Sequence, residues 1–66
     1  MRITVNGEVR TEPEGLRLDT LVTVLTRAPS GVAVAVNEAV VPRGQWARAV
    51  LGDGDRVEVL TAVQGG

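Results

Sequence analysis

Cysteine and histidine are both missing from this chain. Disulfides, redox relays and zinc or redox-metal sites depend on those ligands, and Ser-His or Cys-His catalysis depends on the same side chains. Most enzyme chemistry is excluded on that ground. Lysine is absent as well: the seven basic residues are all arginine, at 2, 10, 17, 27, 43, 48 and 56, scattered singly among eight acids for a net charge of −1. Such a distribution offers no basic patch to a phosphate backbone, so no nucleic-acid partner is expected. Codon bias is the simpler explanation of the missing lysine, and avoidance of amines near an activated acyl group is the other. Under either, the chain cannot be its own isopeptide acceptor. Long apolar runs are missing too. The longest, Val32–Val36, is far below the roughly 18 residues that suggest a membrane span, and residues 1–8 contain no apolar signal core. A single cytoplasmic domain without membrane contact is expected. At 66 residues it buries only about 60% of the surface its unfolded chain exposes, so its core is thin.

What is present alternates clearly. Ile3 and Val5 share one face of a strand over residues 2–5, and Asn6-Gly7 signals a turn. A two-residue turn pairs Val5 with Glu8, whereas a three-residue loop pairs it with Val9. Burial of Val9 favours the three-residue loop, which is the register we expect. A second strand runs to about Thr11 and stops at Pro13 and Gly15. Leu18, Leu21, Val22, Leu25 and Ala28 then draw a helical stripe, although Thr20, Val22, Thr23, Val24 and Thr26 are β-branched and weaken it. Asp19 caps the first turn or complements its dipole, and Pro29 with Gly31 supplies the stop. Val32, Val34 and Val36 fill the core from a third strand. Asn37-Glu38 is a turn, residues 39–41 a short strand ended by Pro42, and the stretch around Trp46, from Arg43 to Leu51, a short helical turn. Asp53-Gly54-Asp55 turns into a last strand, Arg56 to Val63, with Val57 and Val59 inward and Glu58, Leu60 and Ala62 outward. The order predicts an α+β fold, a mixed sheet covered on one face by one main helix, for which a β-grasp is a compact solution. The domain is expected over 1–63, with 64–66 a flexible tail.

Few side chains invite chemistry. Glu12 with Glu14 and Asp53 with Asp55 sit beside Pro or Gly in turns, where acids solvate and hydrogen-bond locally. Ser30, the only serine, has no base to activate it, and a sole tryptophan in so short a chain serves best as core filler. The sequence closes, however, on Gln64-Gly65-Gly66. Two glycines make a tail able to thread a channel too narrow for a Cβ, and it delivers a single group, the α-carboxylate. That carboxylate is ionised at neutral pH and is a poor electrophile. Adenylation by ATP converts one oxygen into a leaving group, after which sulfur yields a thiocarboxylate and an amine an amide. A partner enzyme must supply that catalysis. Without cysteine, sulfur cannot be held as a persulfide, and the C-terminal acyl position is the only place left for it.

Six stretches stand out together: Met1-Arg2-Ile3 into Asn6, Gly15, Val34-Ala35-Val36-Asn37, Val41-Pro42-Arg43-x-x-Trp46, Asp53-Gly54-Asp55 and Gly65-Gly66. In these the chain resembles the ThiS family of sulfur carriers for thiazole synthesis in thiamine biosynthesis, a ubiquitin-like β-grasp family. Val-Pro-Arg-x-x-Trp is the specific element, and it separates this chain from the small subunit of molybdopterin synthase. Arg17 and Asp19 stand where the family commonly has a threonine cap. The resemblance implies no bound cofactor and no catalytic residue of the chain's own. Gly66 would be adenylated by an E1-like partner of ThiF type that uses ATP, then loaded with sulfur from a cysteine desulfurase persulfide. A ThiG-type thiazole synthase would take the sulfur. Gly65 would be the slim neighbour, Val63, Gln64 and Ala62 would line the tunnel entrance, and Leu60 would be an outward contact for the activating enzyme. Another sulfur acceptor such as molybdopterin precursor, a noncatalytic β-grasp interaction module, and protein conjugation are the competing readings.

Overall fold

The computed structural model of the chain describes residues 1–27 and 30–62. Strands β1 (Arg2–Val5) and β2 (Glu8–Thr11) precede helix α1 (Leu18–Leu25). Strands β3 (Val32–Val36) and β4 (Ala39–Val40), a 3-10 helix (Arg43–Arg48) and strand β5 (Arg56–Thr61) follow. The strands form one mixed sheet in the order β2-β1-β5-β3-β4. The two hairpins are antiparallel, and β5 lies between them, parallel to β1 and antiparallel to β3. Alternation places Ile3, Val5, Val34, Val57 and Val59 on the covered face, where they meet Leu18, Leu21 and Val22 of α1, with Trp46 and Leu51 closing the end. The predicted α+β layer arrangement is the observed one.

The β1-β2 register differs from the expected one. Val5 pairs with Glu8 through a two-residue turn in which Asn6 (φ 51°) and Gly7 (φ 84°) are both left-handed. That is the geometry of a type I′ turn, whose twist matches its flanking strands. Val9 pairs with Thr4 and is 58% exposed on the outer face. Burial could not fix the register here because β2 is an edge strand whose residues are mostly exposed.

Helix α1 forms on its stripe, with Leu18, Leu21 and Val22 buried. It is shorter than the stripe suggested: Thr26 is extended at φ −151° and ends it, while Ala28 and Pro29 lie outside the described residues. Asp19 is not its cap. The N-cap residue is Arg17, without a capping side chain, and the first free helix N–H, that of Leu18, donates to Ala49 C=O at 2.8 Å. Asp19 sits inside the first turn, where the dipole favours its charge. Its Oδ1 accepts from Arg17 Nε at 3.1 Å and Thr20 N–H at 2.8 Å. The Arg17 hydrogen bond is the main cause that holds the carboxyl below its usual range.

The specific motif has a structural cause. Pro42 leads into the 3-10 helix, in which residues three apart eclipse one another, so Arg43 and Trp46 share a face. The Arg43 guanidinium lies 4.9 Å from the ring centroid, and Trp46 Nε1 donates to Val41 C=O at 2.8 Å. Strand β4 ends at Val40, one residue sooner than predicted, although Val41 N–H still donates to Val34 C=O.

Candidate functional site

The chemistry expected from the sequence belongs to Gly65 and Gly66, which with Val63 and Gln64 lie outside the described residues. The predicted boundary between domain and tail at 63/64 falls there too. What the structure describes is the platform from which those residues follow. Strand β5 is anchored by Val57 and Val59 in the core, and its other face carries Glu58 and Leu60 to solvent. Leu60 is 70% exposed and pairs with Ala33 across β3. With Asn6, Ala35, Val40 and Glu58 these side chains rim a shallow depression of about 210 Å³ on the outer face. Leu60 and Ala62 are thus both accessible, as the outward alternation required.

Two contacts hold the end of β5. On the β3 side, Ala62 N–H donates to Gly31 C=O at 2.7 Å, and Gly31 has φ +73°. A Cβ built on Gly31 would come within 3.1 Å of Ala62 Cβ, so this position demands glycine on two counts. On the β1 side, Val59 N–H donates to Asn6 Oδ1 at 2.9 Å and Asn6 Nδ2 donates to Val59 C=O at 3.2 Å. Sequence reasoning read Asn6 only as a turn former. An asparagine at a strand end admits both roles, and nothing in local sequence names a partner 53 residues away.

The acidic pairs are structural. Asp53 accepts from Arg2 N–H at 2.7 Å, and Asp55 accepts from Gly52 N–H at 2.7 Å and from Asn37 Nδ2 at 3.0 Å. Glu12 accepts from Arg10 Nε at 2.8 Å. A second cleft, about 460 Å³, lies between α1 and the 3-10 helix, on the other side of the sheet from Leu60. Its lining includes Asp19, Thr23, Arg27, Arg43 and Trp46, and Thr23 Oγ1 is spent on Asp19 C=O at 2.9 Å. Among the described residues no group of three or more His, Cys, Asp or Glu is placed to hold a metal, and no helix is long and apolar enough to cross a membrane.

With one helix held in a mixed five-stranded sheet and β5 running out toward Gly65-Gly66, the protein falls in the ubiquitin-like β-grasp class. The crystal structure of the thiamine biosynthesis protein ThiS of Geobacter metallireducens superposes with a TM-score of 0.81 at 35% identity, each chain covered completely. The model of the ThiS family matches residues 3–66, and the chain belongs to that family. It is 32% identical over 66 residues to the sulfur carrier protein ThiS of Escherichia coli, covering all of both chains. It is also 41% identical over 66 residues to a thiazole synthase of Magnetococcus marinus. There the chain spans 20% of the relative's length.

Proposed function

We propose that this protein is a sulfur carrier of thiamine biosynthesis, with Gly66 as the residue that carries the sulfur. The observation that supports this best is a family match running through Gly65-Gly66, together with a likeness that covers the whole of the Escherichia coli sulfur carrier. The Gly66 carboxylate attacks the α-phosphorus of ATP on an E1-like enzyme of ThiF type, and pyrophosphate leaves. A persulfide sulfur from a cysteine desulfurase system displaces AMP at the carbonyl carbon, and cleavage of the S–S bond by a thiol leaves the thiocarboxylate. The protein acts as a co-substrate, and its partners supply the catalysis. Its setting is the cytoplasm, where ATP is at hand.

A ThiG-type thiazole synthase receives the sulfur. The likeness to thiazole synthases that contain a matching stretch supports that acceptor. Molybdopterin precursor, the alternative acceptor, has no such support. Val63, Gln64 and Gly65 thread the partner's channel, and Leu60 with Ala62 meets its surface from the outer face of β5.

ATP–pyrophosphate exchange with the activating enzyme tests both parts. Deleting Gly66 is expected to abolish exchange while the circular dichroism spectrum stays that of the intact chain. Leu60→Arg buries a charge against the partner and is expected to raise the KM for the carrier by about tenfold or more, roughly the 1.4 kcal/mol of one misplaced contact. Unchanged exchange after deletion of Gly66 removes the carrier reading, and unchanged KM in Leu60→Arg removes Leu60 from the interface.

A further inference from the structure

Strand β5 outlasts its neighbour. The parallel pairing with β1 ends at Val5 and Val57, because Asn6 turns the chain into β2. In a parallel ladder the next bonds for β5 would come from the backbone of two further β1 residues. Asn6 N–H still donates to Val57 C=O at 2.9 Å, the last main-chain bond of the ladder. Beyond it one carboxamide takes over, accepting from Val59 N–H and donating to Val59 C=O. A single side chain therefore stands in for the strand that is no longer there: Val59 makes both of its backbone bonds to Asn6 on one edge of β5, while β3 pairs along the other edge. The next residues are Leu60, Thr61 and Ala62, the last described before the glycines.

We propose that Asn6 is a positioning residue for sulfur loading: its carboxamide fixes the end of β5 and so the direction from which Gly66 is presented to the adenylating enzyme. The proposal rests on the carrier reading above. Without the carboxamide, the Val59 N–H and C=O lose their partners, and β5 beyond Val57 is held along its β3 edge alone, which loosens its end. The two buried side chains of β5, Val57 and Val59, keep the strand in the sheet, so the effect is on the exit of the chain rather than on the fold.

Asn6→Gly separates the side chain from the turn, because glycine accepts the left-handed backbone at no steric cost. Asn37→Gly is the matched control. Asn37 is also left-handed (φ 50°), and its carboxamide accepts from Arg56 N–H and donates to Asp55, but at the opposite end of β5. Adenylation kinetics with the ThiF-type enzyme and amide exchange are measured on the intact chain and both variants. In Asn6→Gly we expect the Val59 amide to exchange at least about tenfold faster and kcat/KM for the carrier to fall by about tenfold, with Asn37→Gly within about twofold of the intact chain. Equal kinetics for Asn6→Gly and the intact chain overturn the proposal, as does an equal loss in both variants, which marks a general stability effect. An intact chain that is never adenylated overturns the carrier reading itself, and the two failures are told apart by that arm alone.

Discussion

Trp46 is held by three contacts: it is 6% exposed in the core, its indole N–H donates to Val41 C=O, and Arg43 lies on its ring. Trp46→Phe keeps an aromatic filler but removes the donor, and is expected to cost roughly 1–3 kcal/mol, with Trp46→Ala costing about 3–5 kcal/mol. Urea unfolding followed by far-ultraviolet circular dichroism measures both, since the only tryptophan is being replaced. An unmoved midpoint in Trp46→Ala would show that the indole does not anchor the end of the core. At this scale the sequence was partly legible. The sole tryptophan, the inward valines and the outward Leu60 could be assigned from alternation and composition. The pairing of Val9 could not, because an edge strand gives burial no purchase on register and the turn chemistry of Asn6-Gly7 decided instead. The carboxamides of Asn6 and Asn37 were equally hidden, since each bonds to a strand distant in sequence.

Helix α1 exists against local preference. Four of its eight residues, Thr20, Val22, Thr23 and Val24, are β-branched, and its N-terminus has no capping side chain. Tertiary contacts compensate: Leu18, Leu21 and Val22 are buried, and the antiparallel bridge between Arg17 and Val50, with Leu51 N–H donating to Leu16 C=O, clamps its entry. Val24 is 67% exposed and contributes little packing, so Val24→Ala is expected to stabilise the protein by about 0.5 kcal/mol through helix propensity alone. A raised urea midpoint checks this, and a lowered one would mean that Val24 packs more tightly than its exposure indicates. The apolar stripe made the helix readable, because three buried positions outweigh propensity. Its end was misplaced for the same reason. Apolar spacing continues to Ala28, yet Thr26 already adopts the extended geometry that β-branched residues favour.

The molecule as a whole divides its labour along β5. One face of that strand is core, the other is open surface, and its end leads into the glycines that end the sequence. The scaffold was legible because β1, β3 and β5 alternate and the turns fall at Asn, Gly, Asp and Pro. The proposed chemistry rests on what the sequence lacks: with no thiol, imidazole or amine side chain, the terminal carboxylate is the group we propose to carry an acyl adenylate and then a thiocarboxylate. The supports of the exit, Asn6 and Gly31, emerged only once β5 was seen between its neighbours. The central claim is that Gly66 carries sulfur, and the most direct measurement is the intact mass of the chain after incubation with ATP, the adenylating enzyme and a persulfide donor. The expected result is replacement of one carboxylate oxygen by sulfur, lost when Gly66 is deleted. A chain that stays unmodified, beside an enzyme active on another carrier, would contradict it.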